Sequence, residues 1–275
     1  MLFSEKLRAA QAANHSYVCV GLDPDVTRLP AGIDHNVPGL LAFCKAIINS
    51  TADVASAFKP NLAFFLAHGA PGIDALREVV AHIPAHLPII LDAKFGDIGH
   101  TATQYATFAF EHLRVDAVTV SPYIGTEAIR PFLAYADKLA FVLSRTSNTQ
   151  GNEFQAWPDA GKPLYQFVAE QMVTLSKDYP QQIGLVIGAT QPSELSEVRN
   201  LAPELPFLVP GIGAQGGDLA AVVQHGITAS RLGPVINTGR TVLYASAGSD
   251  FAEAARKQVI ALNSEIASLR IHHVH

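Results

Sequence analysis

Cysteine is scarce in this 275-residue chain: Cys19 and Cys44 are the only two, too few for a disulfide framework or a Cys-based zinc site. Charge is scarce as well. Asp, Glu, Lys and Arg make up 16% of the residues, and a formal net charge of −5 leaves no basic excess for holding nucleic acid. No window approaches the roughly 18 consecutive apolar residues that would suggest a membrane-spanning helix. The opening stretch Met1-Leu-Phe-Ser-Glu-Lys-Leu-Arg8 reads as an amphipathic helix rather than a signal peptide. Long linkers, charge blocks, low-complexity tracts and repeats larger than a strand–helix unit are also missing. These absences exclude a general nucleic-acid binder, a membrane protein and a disulfide scaffold, and they lead us to expect a cytoplasmic protein. What the chain has in quantity is apolar surface. Hydrophobic residues make up 49% of it, enough for a large core.

Short runs rich in Val, Ile, Leu and Ala recur at Ser16–Leu22, Val54–Phe58, Pro88–Asp92, Asp116–Val120, Leu139–Leu143, Ile183–Ile187, Pro206–Val209 and Ser230–Ile236. They are nearly continuous rather than alternating, as expected of parallel strands buried on both faces. Helical stretches fall between them at His100–His112, Pro163–Tyr179, Pro192–Asn200 and Asp218–His225, and Asp250–Leu269 supplies a long closing helix. Eight strands alternating with helices predict an α/β fold, a single (β/α)8 TIM barrel spanning 1–275, with an open doubly wound sheet as the alternative.

In a barrel, chemistry gathers just beyond the C-terminal ends of the strands. Reactive residues stand at those places here. Asp23 follows the first run, Lys59 ends the second, and Asp92, Lys94 and Asp97 end the third. Ser147 follows the fifth run, Pro210 and Gln215 the seventh, and Gly239 and Arg240 the eighth. Residues two apart in a strand share a side, so Asp92 and Lys94 are expected to point together into the mouth, with Lys59 interleaving from the neighbouring strand. Two carboxylates and two ammonium groups would hold one another ionised and present fixed charge to a substrate without reorganising. A structural ion-pair network is the alternative for a lone Asp-x-Lys pair. Gly213-Ala-Gln215-Gly216-Gly217 before a helix, paired with Gly239-Arg240, suggests a phosphate seat. Helix N-terminal N–H groups and an Arg fork would receive the oxyanion.

These stretches together resemble the orotidine 5′-phosphate decarboxylase family, its longer bacterial subgroup in particular. The matching segments are Val20-Gly-Leu-Asp-Pro24, Phe58-Lys-Pro-Asn61, Leu91-Asp-Ala-Lys-Phe-Gly-Asp-Ile-Gly-His-Thr101, Asp116-Ala-Val-Thr-Val-Ser-Pro-Tyr123, Arg145-Thr-Ser-Asn148, Val186-Ile-Gly-Ala-Thr-Gln-Pro192 and Val209-Pro-Gly-Ile-Gly-Ala-Gln-Gly-Gly-Asp218. The resemblance implies decarboxylation of orotidine 5′-phosphate to UMP, the last step of de novo pyrimidine synthesis, without metal or organic cofactor. It implies that Lys94 protonates C6 and supports the carbanion, that Asp92 lies beside the departing carboxylate, and that Lys59 and Asp23 contact the ribose. Ser147 would hydrogen-bond the pyrimidine. Gln215 would close over the phosphate, which Gly239 and Arg240 would bind, with Pro210 among the substrate-binding residues. Asp97 and Thr101 would complete the site of the other subunit of a homodimer. His100 and Ser121 stand where the family usually has Asn.

Two other functions fit parts of the pattern. A hexulose- or keto-gulonate-phosphate lyase of the same barrel suite also uses Asp-x-Lys-x-x-Asp. It needs magnesium and normally carries a Glu after the second strand, where this chain has Lys59-Pro-Asn61. A non-catalytic phospho-ligand binder would have no use for the whole Lys59/Asp92/Lys94/Asp97 set. The tail residues His272, His273 and His275 read as a solvated terminus rather than a chelate. Tyr123 reads as barrel-wall packing, Cys19 as a small core residue, and Arg145 as either a ligand contact or a rim ion pair.

Overall fold

The computed structural model describes residues 1–159, 161–213 and 216–272. Eight parallel strands make one sheet: β1 (Val18–Leu22), β2 (Ala57–Pro60), β3 (Ile90–Phe95), β4 (Ala117–Val120), β5 (Leu139–Arg145), β6 (Ile183–Ile187), β7 (Phe207–Pro210) and β8 (Val235–Thr238). Their order is β2-β1-β8-β7-β6-β5-β4-β3. Parallel bridges from Phe58 to Ile89 and from Asn61 to Asp92 join the two outer strands, so the sheet curls into a nearly closed (β/α)8 barrel. The outer layer is α2 (Val37–Thr51), α3 (Gly69–His82), α4 (Gly99–Thr107), α5 (Leu164–Leu175), α6 (Pro192–Leu201), α7 (Leu219–His225) and α8 (Phe251–His272), preceded by α1 (Phe3–Ala13). Between β4 and β5 the crossover is made by short 3-10 turns at Thr126–Ala128 and Arg130–Ala134. Among the described residues, no helix is long and apolar enough to cross a membrane.

The barrel is open at one end only. Inside its lower half, Cys19, Ala57, Ile90, Ala117, Phe141, Val186, Leu208 and Val235 pack into one cluster with Phe3 and Leu7 of α1. The Phe3 ring meets Phe141 edge-on, with centroids 5.5 Å apart. Helix α1 therefore plugs the N-terminal end of the barrel. Its Gln11 amide donates to the carbonyls of Gly233 and Pro234 at 3.0 and 3.2 Å, and its Arg8 reaches those of Ser230 and Arg231. Cys19 is fully buried, and burial pushes its thiol up to about 12, which keeps it protonated and inert.

The strand ends differ from the expected ones where local hydrogen bonds compete with the sheet. The last strand begins at Val235 rather than Ser230, because residues 230–234 run beneath the barrel and spend their polar groups on α1. The second begins at Ala57 rather than Val54, because the N–H groups of Val54 and Ala55 bond Thr51 O and finish α2. The third continues past Asp92 to Phe95. The helix expected over His100–His112 is α4, followed by a π turn at Phe108–His112. The closing helix runs to His272, and His273 and His275 lie outside the described residues.

Candidate active site

A cavity of about 520 Å³ opens over the C-terminal ends of the strands. Asp23, Lys59, Asp92, Lys94, Ser147, Pro210, Gly239 and Arg240 all line it, from six of the loops or strand ends. The sequence brought these residues forward from positions more than 200 apart, and the barrel gathers them into one mouth.

Asp92 is the hub. Its Oδ2 accepts from Lys59 Nζ at 2.6 Å, and its Oδ1 accepts from Lys94 Nζ at 2.5 Å and from Thr119 Oγ1 at 3.1 Å. Burial disfavours the carboxylate, but the Lys59 and Lys94 charges outweigh it and hold the Asp92 carboxyl well below the usual range. Lys59 is only 3% exposed. Burial works against its ammonium form too, and the Asp92 and Asp23 carboxylates more than offset that, raising its pKa above the ordinary lysine value. Lys94 differs: its side chain is 52% exposed, so its ammonium group stands at the open end of the array with one partner inside the protein.

The meeting of Asp92 and Lys94 does not come from simple strand alternation. The register slips between Leu91 and Phe95, and Lys94 takes a left-handed backbone with φ of 50°. Such a conformation costs a non-glycine residue about 1–2 kcal/mol. Thr119 holds it in place, its Oγ1 accepting from the N–H groups of Ala93 at 3.0 Å and Lys94 at 2.9 Å while it donates to Asp92. Thr119 was not singled out from the sequence. The signal was there: one polar residue in the apolar run Ala117–Val120, on the strand beside the Asp-x-Lys motif.

On the β8 side, Gly239 precedes a short helix, Arg240–Leu243, whose first turn faces the cavity with Arg240 and Thr241. Gly213 has φ of 87°, and a Cβ there would lie 2.7 Å from Thr241 Oγ1, so the glycine is needed to bring the two loops together. The helix after the glycine-rich turn is α7, and Asp218 caps it, its Oδ1 accepting from Ala221 N at 3.0 Å, which takes one N–H of the first turn. Gln215 lies outside the described residues.

Asp97 and Thr101 are not among the residues lining this cavity. Asp97 Oδ1 accepts from Ile98 N at 2.8 Å, and Thr101 is exposed on the first turn of α4. Tyr123 does not pack in the barrel wall: it is 77% exposed, and Ile98, Tyr105 and Ile124 are exposed in the same part of the chain. Arg145 is buried and forms an ion pair with Glu194, so it is a structural partner rather than a cavity contact. Nothing local marks Glu194, because its partner lies 49 residues away. Asn237 and Gln155 also line the cavity and went unassigned. Among the described residues, no three His, Cys, Asp or Glu side chains are grouped as a metal site would require.

The sequence profile of the orotidine 5′-phosphate decarboxylase / HUMPS family matches residues 16–257. Orotidine 5′-phosphate decarboxylase of Ralstonia pickettii is 46% identical over 273 residues, which cover 98% of this chain and 100% of that protein. The enzyme of the same name from Herpetosiphon aurantiacus is 48% identical over 257 residues, covering 93% and 94%. The fold matches the structure of Leishmania donovani UMP synthase with a TM-score of 0.87 and 41% identity, over 98% of this chain and 56% of that one. This chain therefore belongs to the orotidine 5′-phosphate decarboxylase / HUMPS family.

Proposed function

We propose that the chain decarboxylates orotidine 5′-phosphate to UMP and CO2 in pyrimidine biosynthesis, with Lys94 as the acid and no metal or organic cofactor. The observation that carries the reading is the state of Asp92: both its oxygens are held by ammonium groups, one buried and one facing the cavity. The C6–carboxylate bond breaks, CO2 leaves, and the electron pair remains on C6. Lys94 Nζ then gives C6 a proton and recovers one from water. An ammonium about 4 Å from a developing anion is worth roughly 4 kcal/mol at an effective dielectric of about 20, the value for charges near a protein surface. A charge already held in place adds no reorganisation during the reaction. A divalent cation at Asp92 would have to displace Lys59 or Lys94, which speaks against the magnesium-dependent lyases of the same barrel suite.

Asp23 and Lys59 contact the ribose, Ser147 the pyrimidine, and Gly239 and Arg240 the phosphate, with Pro210 lining the pocket and Gln215 closing over it. Asp97 and Thr101 serve the partner subunit of a homodimer. Supporting this, neither lines its own chain's cavity, and Ile98, Tyr105, Tyr123 and Ile124, all exposed, offer apolar surface that a second copy would cover.

The test is the ultraviolet absorbance of orotidine 5′-phosphate with EDTA-treated protein. Loss of substrate with UMP as product is expected. A folded protein that leaves the substrate intact, or that acts only after magnesium is added, would contradict the proposal.

A further inference from the structure

Arg145 closes β5 at a second register slip: Leu143 pairs with Val186, but Arg145 pairs with Ile187. Its side chain leaves the barrel axis for the seam between α5 and α6, 5.9 Å from the Tyr165 ring, and the residue is only 2% exposed. Its Nε donates to Glu194 Oε2 at 2.5 Å and its Nη2 to Glu194 Oε1 at 3.4 Å, a fork closing on one carboxylate. The same guanidinium also reaches forward into the loop that follows. Nη1 donates to Gln155 Oε1 at 3.2 Å, and Nη2 donates to Asn152 Oδ1.

Gln155 passes the restraint on. Its Oε1 accepts from the Thr146 N–H at 2.9 Å, and its amide donates to Thr146 Oγ1 at 2.8 Å. From the other side, a Cβ at Gly188 would lie 2.7 Å from the Cα and N of Ser147, and Thr190 Oγ1 donates to Ser147 O at 3.3 Å. Thr146, Ser147 and Gln155 line the cavity; Arg145 and Glu194 are not among its lining residues. A hydrophobic pair could fill the seam without the desolvation of two charges. What such a pair could not supply is five directed donors that fix a loop to the helix beside it.

We propose that the Arg145–Glu194 pair is a positioning device: it ties the loop after β5 to α6 and so sets Ser147 at the pyrimidine end of the cavity. The inference rests on the pyrimidine role of Ser147 proposed above. Neither Arg145 nor Glu194 touches substrate in this account; both act through Gln155 and Thr146.

The test compares two ligands in the wild type and in Glu194→Gln. UMP spans phosphate, sugar and base, whereas ribose 5-phosphate lacks the base. Glu194→Gln is expected to weaken UMP binding and raise KM about tenfold, with kcat and ribose 5-phosphate inhibition each within about twofold of wild type. A purely structural pair would instead move both ligands together or neither. If Glu194→Gln does not fold, Asn152→Ala removes one acceptor of Arg145 without stranding a buried charge, and the same contrast is expected at about threefold. Equal weakening of both ligands, or unchanged binding of both, in a folded variant overturns the inference. Wild-type turnover in the same preparation keeps the two levels apart. A wild type that leaves orotidine 5′-phosphate unchanged overturns the functional reading; an active wild type with an unresponsive variant overturns the positioning role alone.

Discussion

Two carboxylates face the same cavity, one after β1 and one on β3, and their surroundings differ. Asp92, on β3, has its oxygens taken by Lys59, Lys94 and Thr119. Among the described residues, Asp23, after β1, keeps a buried Oδ1 with no hydrogen-bond partner, and the Asn237 Oδ1 on β8 is in the same condition. The β2–β3 side is finished within the chain. The β1–β8 side presents acceptors that the protein does not satisfy, and a buried acceptor left unpaired costs about 1–3 kcal/mol. Ribose hydroxyls are donors and would supply what is missing there. Chemistry is thus assigned to the side that is already assembled, and recognition to the side that a ligand completes.

The largest expected effect breaks the assembled side at its open end. Lys94→Ala removes both proton donor and cation, and steady-state kinetics should show kcat lower by on the order of 10⁴-fold or more, while UMP binding stays measurable by titration. Retained turnover would remove Lys94 from its role.

Asp92→Asn attacks the hub and leaves Lys59 buried against a neutral amide. We expect destabilisation of roughly 3–5 kcal/mol, read from denaturant unfolding. The effect carries a pH signature. Because the native Asp92 pKa lies below its ordinary 3.8, its contribution is complete above that value and is lost as pH falls towards the native one. Lys59 is raised above 10.5, so its contribution holds below that value and is lost as pH climbs past it. Asp92→Asn should therefore lower stability between the two limits and flatten the acid limb of the wild-type curve. An acid limb unchanged by the substitution would count against the array.

The ligand-completed side should respond in the reverse sense. Asp23→Asn is expected to raise KM by about tenfold to a hundredfold while costing clearly less stability than Asp92→Asn, since Asp23 acts on the buried Lys59 through its charge alone and Asp92 also through a hydrogen bond. The smallest effect is that of Asn237→Leu. Replacing an amide whose buried oxygen is unpartnered among the described residues by an apolar side chain of similar size should leave melting temperature equal or slightly higher and weaken UMP binding by a few fold. A loss of stability in either variant as large as that of Asp92→Asn would erase the contrast between the two sides.

Much of this was legible in the residues. Eight apolar runs located the barrel strands, because strands covered on both faces must be apolar throughout. Lys59, Asp92 and Lys94 stood out because charge is rare in such runs. What escaped were interactions between distant segments. Residues 230–234 looked like strand but are captured by Gln11 and Arg8, more than 200 positions earlier. Asp92 and Lys94 meet as expected, yet through a register slip and a left-handed Lys94 that no local pattern announces. Asp218, read as the start of a helix, is the N-cap of α7. The proposed role of Asp97 and Thr101 in a second subunit's site is the part least legible, since a contact between chains leaves no trace in one chain's periodicity.

The measurement that tests the account most directly is therefore complementation between two inactive variants. Lys94→Ala and Asp97→Ala subunits, each inert alone, are mixed under conditions where subunits exchange. Random pairing yields mixed dimers with one intact site each, and recovery of about a quarter of wild-type activity is expected. No recovery, with mixed dimers demonstrated, would contradict a charge array completed across the interface.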